Sequence, residues 1–281
     1  METSEQIKQN VKEIYGKIAT QTKQDNAASC CGAGGCSTEV YNIMSEEYTD
    51  LQGYNPEADL GLGCGLPTQF AKMKPGDTVL DLGSGAGNDC FVARAVVGET
   101  GKVIGVDMTE KMIDLARANA DKLNFNNVEF RLGEIEKLPL AADRVDVVVS
   151  NCVLNLVPDK QKAFQEIYRV LKPGGHFSIS DVVLLGELPE KIQSATEMYA
   201  GCVAGALQKT KYISLIHESG FKNVTVQKEK PIIIPNDILL NYLTQQEIEE
   251  YKNSGKGIYS ITVYAEKPAA ESCCTPGGGC C

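Results

Sequence analysis

Two sets of residues in this chain have types and spacings that can do chemistry. The first is a set of thiols: the 281 residues include eleven cysteines. "CCGAGGC" holds Cys30, Cys31 and Cys36, and the closing "ESCCTPGGGCC" holds Cys273, Cys274, Cys280 and Cys281. Single cysteines sit at Cys64 in "GLGCGLP", Cys90 in "GNDCFVA", Cys152 after "VVVSN" and Cys202 in "EMYAGCVAGAL". Zinc sites use C-x-x-C pairs or mixed Cys/His sets. Here the pairs are adjacent, and His176 and His217 are the only histidines. An odd count without zinc spacing points to thiols used as thiols. The second set is "VLDLGSGAG" at 79–87, followed by Asp107 in "GVDM". Glycines at 83, 85 and 87 let a ligand approach the backbone. Asp107 is placed to accept hydrogen bonds from two ribose hydroxyls.

Composition narrows the partners. A net charge of −10 repels phosphate and anionic lipid, which argues against nucleic acid and membrane surfaces. Residues 1–25 lack the charged start and apolar run of a secretory signal, and no apolar run is long enough to span a bilayer. The expectation is a cytoplasmic, monomeric protein, whose reducing surroundings disfavour structural disulfides.

The elements that must carry these residues alternate. "TVLDLG", "KVIGVD", "VEFRLG", "VDVVVSNC" and "HFSISDVV" read as strands, with helices predicted at 88–97, 109–123 and 159–171. Such βαβ units imply an α/β fold, a doubly wound and mostly parallel sheet with right-handed crossovers. Strand candidates at 223–230 and 257–266 bring the sheet to seven strands. Two helices over 188–219 form an insertion, and a further helix is predicted near 236–251. At the N-terminus, Thr3 and Gln6 are set as a capping box for a helix whose apolar face would be Ile7, Val11, Ile14 and Ile18.

A glycine loop alone fits many nucleotide sites, but here its spacing is G-x-G-x-G and Asp81 precedes it. A carboxylate there is unfriendly to a pyrophosphate and suits a ligand with an ammonium and a sulfonium. At this point the chain resembles the class I S-adenosylmethionine-dependent methyltransferases. "DLGSGAG", Asp107, "GEIEKLP", "VVVSN" and "LKPGG" fall in that family's order. The resemblance implies that Asp81, Gly83, Ser84 and Gly85 line the methionine portion of the cofactor. It puts Asp107 and Met108 at the ribose and adenine, Glu134 and Ile135 at the adenine border, and Asn151 beside the transferred methyl.

A narrower resemblance, to the arsenite methyltransferases, rests on "GCGLP", "GNDCFVA", "SNCVLNLVPDK" and "GCVAGAL". Gly201 departs from relatives that place an acidic residue before the cysteine. The resemblance implies Cys64, Cys152 and Cys202 as ligands of arsenic(III), with Cys36 and Cys64 as a reducing pair. Thioredoxin or glutathione would regenerate that pair. Soft trivalent arsenic matches thiolate ligands, and three sulfurs leave its lone pair outward to attack a sulfonium methyl without a general base.

On this reading residues 1–55 form an N-terminal helix and Cys-containing loop, and 56–187 the cofactor domain. Residues 188–267 form an arsenic-binding helical insertion with closing strands, and 268–281 a flexible Cys-rich tail. The tail's four thiols either capture arsenic for delivery by ligand exchange or have no catalytic part. Two other functions stay open: a thiol-rich sequestration protein, and a methyltransferase for a small organic acceptor such as a quinone-type ring.

Overall fold

The alternating apolar runs form the strands of one sheet. The computed structural model describes residues 3–20, 48–189, 203, 205–234, 236–240 and 242–270. Strands β1 (Thr78–Leu82), β2 (Lys102–Asp107), β3 (Val128–Leu132), β4 (Val145–Asn151) and β5 (Leu171–Leu185) pair in parallel. A two-residue β6 (Leu207–Gln208) pairs with β5, off the main path. Then β7 (Lys222–Ile232) and β8 (Gly257–Glu266) complete the order β3-β2-β1-β4-β5-β8-β7, with β8 antiparallel to both neighbours. The main path therefore has the seven strands that the sequence implies. The short β6 has no apolar periodicity of its own and was not expected.

Helices cover both faces. α1 (Ser4–Ile18) precedes the sheet, and α2 (Pro67–Phe70) follows the Cys64 loop. α3 (Asn88–Val97), α4 (Glu110–Lys122) and α5 (Lys160–Val170) are the crossover helices. α6 (Lys209–Glu218) leads into β7, and α7 (Asn236–Leu239) and α8 (Gln245–Asn253) lie between β7 and β8. One helix was expected near 236–251; Thr244 instead starts α8 anew as a capping-box residue, with Glu247 as its reciprocal partner. In α1 the Thr3/Gln6 capping box forms, but Ile14 is 54% exposed. The inward stripe runs through Ile7, Val11 and Tyr15 to Ile18, four residues apart until its last step.

Strand order reverses between β1 and β4, where neighbouring crossovers leave toward opposite faces. Such a switch point opens a crevice beyond the carboxyl ends of the strands. Asp81, Asp107, Asn151 and Cys152 all lie at or just past those ends.

On the β5 side of the core, α5 and α6 bury Phe164 and Tyr212 against the sheet, with ring centroids 5.5 Å apart and nearly perpendicular. The Tyr212 hydroxyl donates to Asp181 Oδ2 at 3.2 Å, and both residues are fully buried. Burial pushes the Asp181 carboxyl up to about 7, against the pull of the Lys160 ammonium. Between the ordinary carboxylate value and about pH 7, the folded state holds a proton that the unfolded chain releases. This group's stabilising contribution is therefore lost as pH rises through that window. Asp181→Asn should remove that dependence, so its melting temperature should fall less between pH 5 and pH 8 than that of the parent protein. Thermal melts at the two pH values check this, and an unchanged pH dependence contradicts it.

Candidate active site

The cofactor loop begins where β1 ends. Gly83 and Ser84 both donate their backbone N–H to Val106 O, at 2.8 and 3.1 Å, which folds the loop back over β2. Gly83 has φ +66°, and a Cβ there would meet Val153 Cγ2 at 2.2 Å. Only glycine fits this turn. Asp107 accepts from the Gly85 N–H at 3.1 Å and the Thr109 N–H at 2.8 Å. The two bonds fix its carboxylate across the loop.

These groups face a cleft with about 1120 Å³ of empty space, part of it open to solvent. Asp81, Gly83, Ser84, Gly85, Asp107, Met108, Glu134, Ile135, Asn151 and Cys152 all line it. Its inner wall also carries Asp89. Burial raises the Asp81 carboxyl well above its usual range, and the charge of Asp89 adds to this. Burial raises Asp89 to about 6, although hydrogen bonds from Tyr48 and Asn151 pull it down. Asp107 is raised by burial too, opposed by its backbone hydrogen bonds. Three carboxylates around one cleft, Asp81 buried and Asp89 and Asp107 half-buried, favour a cationic occupant. Ser84 Oγ and Asn88 Oδ1 are buried without hydrogen-bond partners among the described residues, so polar capacity is left for a ligand. An ammonium and sulfonium near Asp81 and Asp89, with a ribose at Asp107, fit this set.

Among the contributors to this cleft that the sequence does not announce are α1 and Cys90. α1 forms a wall: Lys8, Val11 and Tyr15 line the cleft, and the Lys8 ammonium bridges Glu134 at 2.8 Å and Glu136 at 2.5 Å. Burial pulls that ammonium down, but its two carboxylate partners outweigh the effect and hold it firmly charged. Cys90 packs in the core as its helix position implies, yet its thiol donates to Asp81 Oδ2 at 3.2 Å. Its own ionisation is pushed well up, by burial first and then by Asp81. It serves as a neutral donor to the cofactor-loop carboxylate.

The thiol-bearing elements meet the cleft at the end of β4. Cys152 has φ +60°, a left-handed conformation that is unusual and strained for a residue with a side chain. Its N–H donates to Ser180 O at 2.8 Å, which anchors the turn while Cys152 lines the cleft. Cys64 is 2% exposed and lies in the same buried cluster as Cys152, with Val182, Leu188, Val203 and Ile258.

The Cys64 loop is tightly fastened. Cys64 N–H donates to Asn151 Oδ1 at 3.1 Å, Asn151 Nδ2 donates to Gly65 O at 2.8 Å, and Ser260 Oγ donates to Cys64 O at 2.6 Å. A Cβ on Gly65 would sit 2.6 Å from Ser180 Oγ, so the loop lies directly on β5. Cys36, Cys202 and the tail thiols Cys273, Cys274, Cys280 and Cys281 lie outside the described residues, as does most of the first helix expected in 188–219. Beside Cys202, Val203 belongs to the buried thiol cluster, and Gly205 packs so closely that a Cβ would approach Asn155 O to 1.9 Å.

A seven-strand path with one antiparallel strand, a glycine loop over β2 and an acid at the end of β2 define a class I methyltransferase. Residues 73–229 match the family model described as a methyltransferase domain. The comparison narrows with relatives that match most of this chain. An arsenite methyltransferase of Halobacterium salinarum is 42% identical over 95% of this chain and 68% of its own length. One from Aquipseudomonas alcaligenes is 35% identical over 84% of this chain and 68% of its own. The crystal structure of an arsenic(III) S-adenosylmethionine methyltransferase from Chlamydomonas reinhardtii superposes with a TM-score of 0.61 at 32% identity, covering 85% of this chain and 73% of that one. The chain belongs to the arsenite methyltransferase family.

The carboxylate at the end of β2 gives a direct test of the cleft. Asp107→Ala should lose about 1.5–3 kcal/mol of S-adenosylmethionine affinity, the range for hydrogen bonds to a charged group. Titration calorimetry measures it, and unchanged binding would remove Asp107 from the cofactor site.

Proposed function

We propose that this chain holds trivalent arsenic on the thiolates of Cys64, Cys152 and Cys202 and methylates it. Asp81, Gly83, Ser84, Gly85, Asp107, Met108, Glu134, Ile135 and Asn151 would hold the cofactor. Bound in the cleft, S-adenosylmethionine supplies an electrophilic methyl group. The observation that carries the reading is the left-handed Cys152, which lines the cofactor cleft and shares one buried cluster with Cys64 and with Val203, the neighbour of Cys202. A sequestration protein needs no such cleft.

The chain's own groups do three things in this mechanism. The thiolates bind the arsenic as soft ligands, and three As–S bonds leave its lone pair as the nucleophile, so no general base is needed. The apolar neighbours Val182, Leu188, Val203 and Ile258 exclude water from the thiols. Fastened backbone at Cys64 and Cys152 fixes both residues in one buried cluster, of which Cys152 lines the cleft, and this supports catalysis by positioning. Methylation formally takes arsenic from trivalent to pentavalent. The Cys36 sulfur attacks the arsenic-bound sulfur of Cys64, and the disulfide forms as the As–S bond to Cys64 breaks. That bonding pair stays on arsenic as the lone pair of the trivalent state, and the Cys36 thiol releases one proton. Thioredoxin or glutathione then reduces the disulfide. The protein acts as a cytoplasmic monomer in arsenic detoxification. Residues 1–55, 56–187, 188–267 and 268–281 divide the work among N-terminal wall and loop, cofactor domain, arsenic-binding insertion and thiol tail.

The experiment is methylation of arsenite by S-adenosylmethionine with a thiol reductant, with the arsenic species resolved by chromatography. Cys152→Ser or Cys202→Ser should reduce every methylated product to background while S-adenosylhomocysteine binding stays within about twofold. Full turnover in either variant contradicts the ligand set. Removal of residues 271–281 should leave the melting temperature and turnover at saturating arsenite unchanged. It should slow methylation when arsenite is scarce, because tethered thiols raise the local arsenic concentration. Equal rates at every arsenite concentration would assign the tail no part in delivery.

A further inference from the structure

Between the cofactor carboxylates and the Cys64 loop lies a buried hydrogen-bond chain that the mechanism above does not use. Asp89 is at its centre. Its Oδ2 accepts from the Tyr48 hydroxyl at 2.8 Å and from Asn151 Nδ2 at 3.3 Å. The Thr68 side chain also hydrogen-bonds this carboxylate, and Asp89 lines the cofactor cleft. The Tyr48 oxygen in turn accepts from Asn151 Nδ2 at 2.5 Å. Asn151 completes the chain: its Oδ1 accepts the Cys64 N–H at 3.1 Å, and its Nδ2 donates to Gly65 O at 2.8 Å. There is little slack, since a Cβ on Gly63 would stand 2.6 Å from Asn151 Nδ2.

We propose that Tyr48 is a positioning residue that couples cofactor occupancy to the Cys64 thiol, through Asp89 on one side and Asn151 on the other. The proposal rests on the reading of Cys64 as an arsenic ligand. One carboxylate has two jobs here. A cation resting on the Asp89 carboxylate from the cleft side fixes its plane, and that plane sets where Oδ2 receives Tyr48 and Asn151. Hydrogen bonds to a charge held in a dry site are short and directional, so a fixed acceptor fixes its donors. Asn151 then has one orientation for the backbone on both sides of Cys64. The placement of the Cys64 loop that arsenic requires is then favoured further when the cofactor is present. Cofactor should therefore tighten arsenite binding, and arsenite should tighten cofactor binding by the same factor.

The test is calorimetric titration of the full chain with arsenite, with and without saturating S-adenosylhomocysteine, and the reverse titration. For the parent protein the two ligands should tighten each other by about fivefold or more, with the same factor in both directions. Tyr48→Phe should bind each ligand alone within about threefold of the parent, yet bring the mutual factor close to one. A merely structural role for the hydroxyl would weaken both ligands alone and leave the factor intact, which would overturn the proposal. So would independent binding in the parent protein. If Tyr48→Phe does not fold, Asp89→Asn is read on the mutual factor alone, since loss of its charge also weakens the cofactor; a retained factor at saturating cofactor overturns the proposal. Cys64→Ser isolates the underlying reading. If it leaves arsenite affinity unchanged, Cys64 is not a ligand, and that outcome is separate from any change in the mutual factor.

Discussion

One side-chain amide holds the two halves of this site together. Asn151 is the last residue of β4, and its amide takes the Cys64 N–H, the Gly65 carbonyl and the Tyr48 hydroxyl as partners. The next residue is Cys152, turned into the left-handed region and anchored to Ser180. A strand end thus presents one thiol directly and fastens the loop of another, while also lining the cofactor cleft. Such a conformation costs on the order of 1–3 kcal/mol. It persists because the surrounding hydrogen bonds and the close approach of Gly65 to Ser180 leave the backbone few alternatives.

Electrostatics divides the site into two unlike halves. The cofactor half is acidic: burial favours protonation of Asp81, Asp89 and Asp107, and the charges of Asp89 and Asp107 add to this at Asp81. Neutral donors moderate this: the Cys90 thiol on Asp81, Tyr48 and Asn151 on Asp89, backbone N–H groups on Asp107. The thiol half is apolar, walled by Val182, Leu188, Val203 and Ile258. A cationic methyl donor is at home in the first, and a soft neutral arsenic trithiolate in the second. Placed edge to edge, the halves favour transfer by arrangement, without a proton-abstracting base.

Much of this was legible in the residues, for identifiable reasons. The five parallel strands showed because buried strands are uniformly apolar, and the crossover helices because their stripes are wide. The cofactor loop showed because only glycine permits its turns. Other features had no local signature. The two-residue β6 is defined by its neighbour, not by its own pattern. The inward face of α1 was misread at Ile14, since an apolar residue one step off the stripe looks the same in sequence as one on it. Its function as a cleft wall depends on Lys8 reaching Glu134 and Glu136, a contact made across more than a hundred residues. Tyr48 and Asp89 were overlooked for the same reason, since a buried phenol–carboxylate pair separated by 41 residues is visible only once the sheet brings them together. Asp89 did carry a hint: an acid two residues beyond the last loop glycine, in the first turn of α3, faces the ligand side of this fold.

The central claim is that three protein sulfurs, and nothing else, hold the arsenic beside the cofactor cleft. X-ray absorption at the arsenic edge, on protein loaded with one equivalent of arsenite and freed of small thiols, measures that ligand set directly. The account predicts an all-sulfur shell of three ligands in the parent protein, and replacement of one sulfur by oxygen in each of Cys64→Ser, Cys152→Ser and Cys202→Ser. A shell that already contains oxygen in the parent protein, or that is unchanged in the Cys152 variant, would contradict it.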